Sequence, residues 1–213
     1  MTTPAPQPDA SANGGLRSLE LFSGAGGLAL GLSRAGFQPV AVVDWDHVAI
    51  QTLKANGTRD RHHTANWPVS GTDVRTLAYD EVGPVDLLSA GAPCQPFSRG
   101  GRGLGERYDR NMFGEVIRAI QEVRPRAFLL ENVRGLLFDR YADYFDYLVA
   151  QLRVPSLTMR PRWTRRSHLA RLRRVGDGDH EYRVESSPPG RGTRTGSASR
   201  SMSITWRQTS RRR

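Results

Sequence analysis

Four strand-length runs punctuate this chain: Arg17 to Phe22, Val40 to Val43, Val85 to Ala90 and Ala127 to Leu130. Each stops at a polar or glycine-bearing segment. Their lengths suit buried strands rather than helices. Between them lie stretches with helical spacing. Leu28 to Arg34 carries Leu28, Leu32 and Ala35 and ends at Gly36, and His47 to about Ala55 closes at Asn56-Gly57. Phe113 to Val123 and Tyr141 to Leu152 repeat the pattern, whereas Thr58 to Gly71 reads as loop with a brief strand near Asp73-Val74. Strands alternating with helices imply an α/β fold with a doubly wound, mostly parallel, Rossmann-like sheet. In such a sheet ligands bind outside the carboxyl ends of the strands. Every segment of chemical interest falls at such an end.

A chain of 213 residues can bury one core. We expect a disordered tail over 1–15, a catalytic domain over 16–153, the remnant of a following region over 154–185, and a disordered Arg/Ser-rich tail over 186–213. No stretch of 18 apolar residues and no charged start followed by an apolar run is present, so the expectation is a soluble, cytoplasmic protein without membrane contact. The net charge of +10 is uneven. Residues 1–150 hold 15 Arg/Lys against 17 Asp/Glu, and residues 151–213 hold 16 against 4. Lys54 is the only lysine, and phosphate binding alone would not exclude lysine so completely. Cys94 is the only cysteine, which rules out an internal disulfide and a cysteine-cluster metal site; no metal is expected.

Phe22-Ser23-Gly24-Ala25-Gly26-Gly27 follows the first strand and opens the first helix at Leu28, so backbone can approach a bound ligand closely. Asp44, ending the second strand 20 residues after Gly24, can accept both hydroxyls of a ribose, or cap a helix. Trp45 offers a face to an adenine or packs in the core. Asp73 can accept from the exocyclic amine of that adenine or serve a turn, with Val74 beside it. No phosphate cradle with an attendant lysine accompanies these residues, so an adenosine ligand without a triphosphate fits, and S-adenosylmethionine has that chemistry. Cys94 sits in Pro93-Cys94-Gln95-Pro96-Phe97-Ser98, at the end of the third apolar run, and is a candidate nucleophile or a small buried hydrophobe. Glu131 follows four apolar residues, where poor solvation favours its protonated form and makes it a proton donor; the bland alternative is an ion pair such as one with Arg134.

In this order and spacing, the glycine turn, Asp44-Trp45, Asp73-Val74, Pro93-Cys94-Gln95-Pro96-Phe97-Ser98 and Glu131-Asn132-Val133 resemble the first half of a DNA cytosine-5 methyltransferase, over roughly residues 17–153. The resemblance implies a cofactor, S-adenosylmethionine, held by Phe22, Ser23, Gly24, Gly26, Gly27, Leu28, Asp44, Trp45, Asp73 and Val74. It implies a duplex DNA partner, and a restriction-modification setting. Cys94 and Glu131 are the implied catalytic pair: the thiolate adds to C6 of a cytosine swung out of the helix while Glu131 holds N3 and the amine, so that C5 becomes nucleophilic. Pro93, Gln95, Phe97, Ser98, Asn132 and Val133 frame the base. Gly100 to Gly105 with Asp109-Arg110-Asn111 resembles the loop that closes over DNA in the family.

Past Leu152 the resemblance thins, and past about Val184 it stops. The family's arginine segment, target-recognition region and late asparagine motif are not found in these residues. We therefore expect a sheet incomplete at its C-terminal end. Of the 28 residues of 186–213, 23 are Arg, Ser, Thr, Gly or Pro, and the expectation is a disordered segment translated out of frame. A genuine phosphate-binding arginine arm is the competing reading. Activity would then call on a second polypeptide supplying the missing region. Three other readings compete: a transfer-RNA cytosine methyltransferase of the same chemistry, a non-catalytic nucleic-acid-binding remnant, and a nicotinamide dehydrogenase. The last is disfavoured because it gives Cys94 and Glu131 no joint role.

Overall fold

A computed structural model describes residues 15–59, 63–93, 112–176, 181–187 and 201–208. The chain runs β1 (Arg17–Leu21), α1 (Gly27–Arg34), β2 (Gln38–Val43), α2 (His47–Arg59), β3 (Val69–Ser70), β4 (Leu87–Ala90), α3 (Phe113–Val123), β5 (Ala127–Val133), α4 (Ala142–Arg153), α5 (Arg165–Gly176), β6 (Tyr182–Ser187) and β7 (Ser201–Gln208). Among the described residues the sheet has seven strands in the order β3-β2-β1-β4-β5-β7-β6. Strands β3, β2, β1, β4 and β5 pair in parallel, while β7 pairs antiparallel with both β5 and β6. The chain moves outward from β1 through β2 to β3, then returns to β4 on the other side of β1. That reversal opens a crevice beyond the carboxyl ends of β1 and β4.

The core forms around the three strands β1, β4 and β5. Leu19 and Leu21 of β1, Leu88 and Ala90 of β4, and Phe128 and Leu130 of β5 are buried together with Val116, Ala119 and Ile120 of α3. In α3 the buried residues Phe113, Val116, Ile117 and Ile120 recur at the three- and four-residue spacing that lays one stripe of a helix on a sheet. Helix α1 ends at Ala35, and Gly36 adopts a positive φ of 92° there, with the Phe37 amide donating to Leu32 O. This is the left-handed stop that glycine supplies without strain.

Three local expectations change. The brief strand lies at Val69–Ser70 rather than near Asp73-Val74. Asp73 instead caps a 3-10 turn, Val74–Thr76, by accepting from the Arg75 amide, because a short acidic side chain competes for nearby backbone donors. Helix α2 runs past Asn56-Gly57 to Arg59. A Cβ at Gly57 would sit 3.3 Å from Thr64 O, so this glycine permits a close backbone approach rather than ending the helix. Finally, Ser201–Gln208, expected to lack structure, forms β7. Its sequence alternates Ser201, Ser203 and Thr205 with Met202, Ile204 and Trp206, the period of a strand, and the open edge of β5 accepts it over seven residue pairs.

Within 154–176 and 181–187, helix α5 joins the α4 layer and β6 joins the sheet. Helix α5 packs on α4 through Tyr147, Ala150, Val154 and Leu172, and the buried His168 joins Tyr147 Oη at 2.8 Å and Leu157 O at 2.9 Å. Tyr182 of β6 is buried edge-on against Phe128, and its hydroxyl donates to Pro125 O at 2.8 Å, just before β5. No helix among the described residues is long and apolar enough to cross a membrane. Because Tyr182→Phe leaves the Pro125 carbonyl without this donor, it should lower unfolding free energy by about 1 kcal/mol in urea titrations, with the slope unchanged.

Candidate functional site

The glycine turn is held in place by the strands on either side of it. The Ser23 amide donates to Val43 O at 3.1 Å, and the Ser23 hydroxyl reaches Glu20 O at 3.2 Å and Val43 O at 3.1 Å. The Gly24 amide donates to Asp44 Oδ2 at 2.7 Å, which joins the turn after β1 to the end of β2. Gly26, at φ 86°, is the left-handed residue preceding α1; a Cβ there would lie 2.6 Å from Leu53 Cδ2 and 2.9 Å from Trp67 Cζ3. Over Gly24 and Gly27, by contrast, a Cβ would meet nothing within 4 Å, so the outer surface of the turn is open. Phe22 takes a positive φ of 55°, an outlier for a bulky residue that costs on the order of 1–3 kcal/mol and is characteristic of ligand sites.

Two cavities meet at Phe22. The larger, about 510 Å³, is lined by Phe22, Asp44, Trp45, Asp73, Val74 and Pro93, with Asp46, Thr72, Arg75 and Met112. That volume suits a cofactor-sized molecule. The smaller, about 250 Å³, is lined by Glu20, Phe22, Ser23, Leu28, Ser89 and Glu131, with Leu21, Ala29 and Gly91. The fold therefore gathers the separate sequence candidates Phe22, Asp44, Trp45, Asp73, Val74 and Pro93 around one space, and Ser23, Leu28 and Glu131 around its neighbour. Cys94, Gln95, Phe97, Ser98 and the loop 100–111 lie outside the described residues.

Asp44 is not the helix cap. That role belongs to Asp46, whose Oδ1 accepts from the Val48 and Ala49 amides at 2.8 and 2.9 Å. Asp44 accepts from Gly24 through Oδ2 and from the Asp46 amide through Oδ1, one hydrogen bond to each oxygen, so each keeps a lone pair for a ligand hydroxyl. Trp45 is 68% exposed, so its indole face is not spent on core packing. These residues fit the ribose and ring of an adenosine. Asp73 is different: Arg75 Nε and Nη2 donate to its two oxygens at 2.5 to 3.0 Å, and the Arg75 amide adds a further bond at 3.0 Å. These bonds hold the Asp73 carboxyl below its ordinary pKa. Arg118 fixes the same segment by donating to Val74 O at 2.6 Å and Leu77 O at 3.3 Å, a role with no sequence signature beyond its place on α3.

At the end of β5 the alternation sends consecutive side chains to opposite faces. Asn132 is buried, and its Nδ2 donates to Ala92 O at 3.0 Å while its Oδ1 accepts from the Val133 amide at 2.9 Å. This tether fixes Ala92, just before Pro93, to β5. Val133 is exposed, and Glu131, half-buried, turns to the smaller cavity. A Cβ on Gly91 would come within 3.4 Å of Phe22 O and 3.9 Å of Glu131 Oε2, so Gly91 keeps that approach open.

Among the described residues the carboxyl most removed from water is Glu20, which belongs to none of the sequence motifs. It is 2% exposed, accepts from Ser89 Oγ, and its Oε1 has no partner among the described residues. Burial pushes its pKa up from the ordinary value, against the opposing hydrogen bond from Ser89. No local signal marks it, since Arg17 and Ser18 of the same strand are polar too.

Two outcomes follow from this geometry. Gly26→Ala, strained in φ and crowded by Leu53 and Trp67, should cost about 1–3 kcal/mol in denaturant unfolding. Folded Glu20 keeps its proton to higher pH than the unfolded chain does. The folded state therefore binds more protons from the ordinary value of 4.5 up to its own raised pKa, and stability falls as pH rises through that window. Glu20→Gln should remove this component, so its stability relative to wild type should improve on going from acid to neutral pH in parallel urea titrations.

The family described as C-5 cytosine-specific DNA methylase matches residues 16–154. The chain is similar to the Type II methyltransferase M.NgoMIV of Neisseria gonorrhoeae, 42% identical over 134 residues that make up 63% of this chain and 41% of that protein. It is similar also to the Type II methyltransferase M.PspPI of Psychrobacter sp. (strain TA137), 46% identical over 120 residues, or 55% of this chain and 27% of that protein. The chain thus spans well under half the length of these relatives. Among solved structures, the S. pombe Dnmt2 methyltransferase matches with a TM-score of 0.53 at 22% identity, over 91% of this chain and 51% of that one, a likeness of fold.

Proposed function

The chain belongs to the C-5 cytosine-specific DNA methylase family, and from that premise we propose that it carries the methyl-donor site and catalytic pair of a DNA cytosine-5 methyltransferase of restriction-modification type. The observation that carries the reading is the meeting of two cavities at Phe22, one lined by Asp44, Trp45 and Pro93 and the other by Glu131. A donor site and a base site must adjoin for a group to pass between them.

S-adenosylmethionine supplies, when bound, a methyl group on a sulfonium. The residues that would hold it are Asp44, through its remaining lone pairs to the ribose hydroxyls, Trp45 against the adenine, and the open backbone of Gly24 and Gly27. Cys94, one residue beyond the cavity-lining Pro93, adds as thiolate to C6 of a cytosine turned out of duplex DNA. Glu131 holds a proton at N3 of that ring and accepts from its amine, so the charge arriving with the sulfur is neutralised and C5 gains nucleophilic character. Asn132, through Ala92 O, anchors the residue that precedes Pro93 to the strand bearing Glu131. When the C5 proton leaves, the ring regains its double bond and expels the Cys94 sulfur. A second polypeptide completing the length of the relatives belongs to the same proposal.

Incubation with S-adenosylmethionine and duplex DNA carrying 5-fluorocytosine tests this, since fluorine at C5 blocks the final elimination and leaves protein bonded to DNA. The expected result is a denaturation-resistant adduct lost completely in Cys94→Ser. With ordinary cytosine, Glu131→Gln should slow methyl transfer by about 10²–10⁴-fold while retaining cofactor binding. Absence of any adduct, with and without the product of a neighbouring methyltransferase reading frame, would overturn the proposal.

A further inference from the structure

Arg75 occupies a place in the larger cavity that neither the family match nor the sequence motifs explain. Its Nε donates to Asp73 Oδ1 and Oδ2 at 3.0 and 2.9 Å, and its Nη2 to Oδ2 at 2.5 Å. With the Arg75 amide also on Oδ1, four donor contacts fall on a carboxylate that offers about four acceptor positions. Its Cζ stands 5.7 Å from the centroid of the Trp45 ring, within the range of a cation–π contact. Asp73 and Trp45 are the two residues that an adenine in this site would need, one for its exocyclic amine and one for its ring face.

A guanidinium is flat, carries N–H donors at its rim and lies well over aromatic faces. In those three respects it resembles an adenine. We propose that Arg75 is an internal stand-in for the adenine ring: it takes the amine acceptor of Asp73 and the face of Trp45 in the free chain, and an adenosine ligand must displace it to bind.

The surroundings favour a movement of this side chain alone. Val74 is buried and its carbonyl is held by Arg118, so the backbone bearing Asp73 and Arg75 is pinned to α3. The Arg75 side chain is 55% exposed and can swing into solvent, where a cation is well hydrated. A ligand competing with a closed conformation binds with its intrinsic affinity reduced by the fraction of molecules that are open. Arg75 therefore sets the donor affinity without touching the reacting atoms. It also adds discrimination, because only a ring able to replace its N–H donors leaves Asp73 satisfied.

The inference rests on the adenosine site proposed above, and one titration separates the two. S-adenosylhomocysteine is titrated calorimetrically into the full chain and into its Arg75→Ala and Arg75→Lys variants, each first shown to be folded by circular dichroism. Removing an exposed bidentate pair should tighten binding by about threefold to tenfold in Arg75→Ala, with Arg75→Lys between it and wild type. The analogue with hypoxanthine in place of adenine, which lacks the exocyclic amine, should gain less from Arg75→Ala than S-adenosylhomocysteine does. Equal or weaker binding of S-adenosylhomocysteine by Arg75→Ala overturns the stand-in role while leaving the adenosine site intact. No binding to wild type or to either variant overturns the adenosine site and the stand-in role together.

Discussion

The central strand β1 must be satisfied on both edges and both faces at once, and the rest of the molecule follows from that requirement. It pairs in parallel with β2 and with β4, so Leu21 lies beside Val43 on one side and Ala90 on the other. A parallel strand has no local partner and depends on crossovers for both neighbours. Leu19 and Leu21 fill one face, Ser18 and Glu20 the other, and all four are buried. The chain therefore leaves β1 at a single place, between the ends of two other strands. There the Ser23 amide continues toward Val43 O and the Gly91 amide toward Leu21 O. Asp44, Pro93 and, one strand further, Glu131 are neighbours because their strands end in register beside that exit.

Irregularity gathers at the same point. Phe22 holds a left-handed backbone, Gly26 another, and Glu20 carries an unpartnered carboxyl oxygen among the described residues. None of these is an efficient way to stabilise a sheet. Each is tolerated because the surrounding strands are well paired and buried, and together they leave two open spaces where a regular turn would have closed one. The polar side chains near this exit answer it in different ways. Asp44 spends one lone pair of each oxygen on backbone amides, Asp73 is covered by Arg75, and Asn132 ties β5 to the loop after β4.

Much of this was legible in residue order. The glycine turn, Asp44-Trp45 and Glu131-Asn132-Val133 were each readable as strand-end features, because apolar runs of strand length stop where polarity returns. Asp73-Val74 stood out in residue order, but its conformation did not: a strand was expected, and a capped 3-10 turn is found, since a short acidic side chain bonds its own backbone more readily than it joins a ladder. Glu20 was invisible as a feature because its burial depends on strands that lie about 20 and 70 residues away. The arginine-rich stretch of α5 and the strand β7 were obscured by composition. What places them is the packing of His168 and Leu172 on α4 and the open edge of β5.

By itself the sequence determined the alternation of elements, the positions at which strands stop, and the kinds of side chain available there, for these depend on hydrophobic period and backbone preference over a few residues. Tertiary structure alone decided which of those side chains share a cavity, which acid is buried and which is already bound. Such outcomes turn on contacts between residues distant along the chain, as between Gly24 and Asp44, or on a rotamer that only a neighbouring element makes favourable, as with Arg75 over Trp45. Local pattern carries no information about distances of that kind, because they are fixed only when the parallel sheet closes around β1.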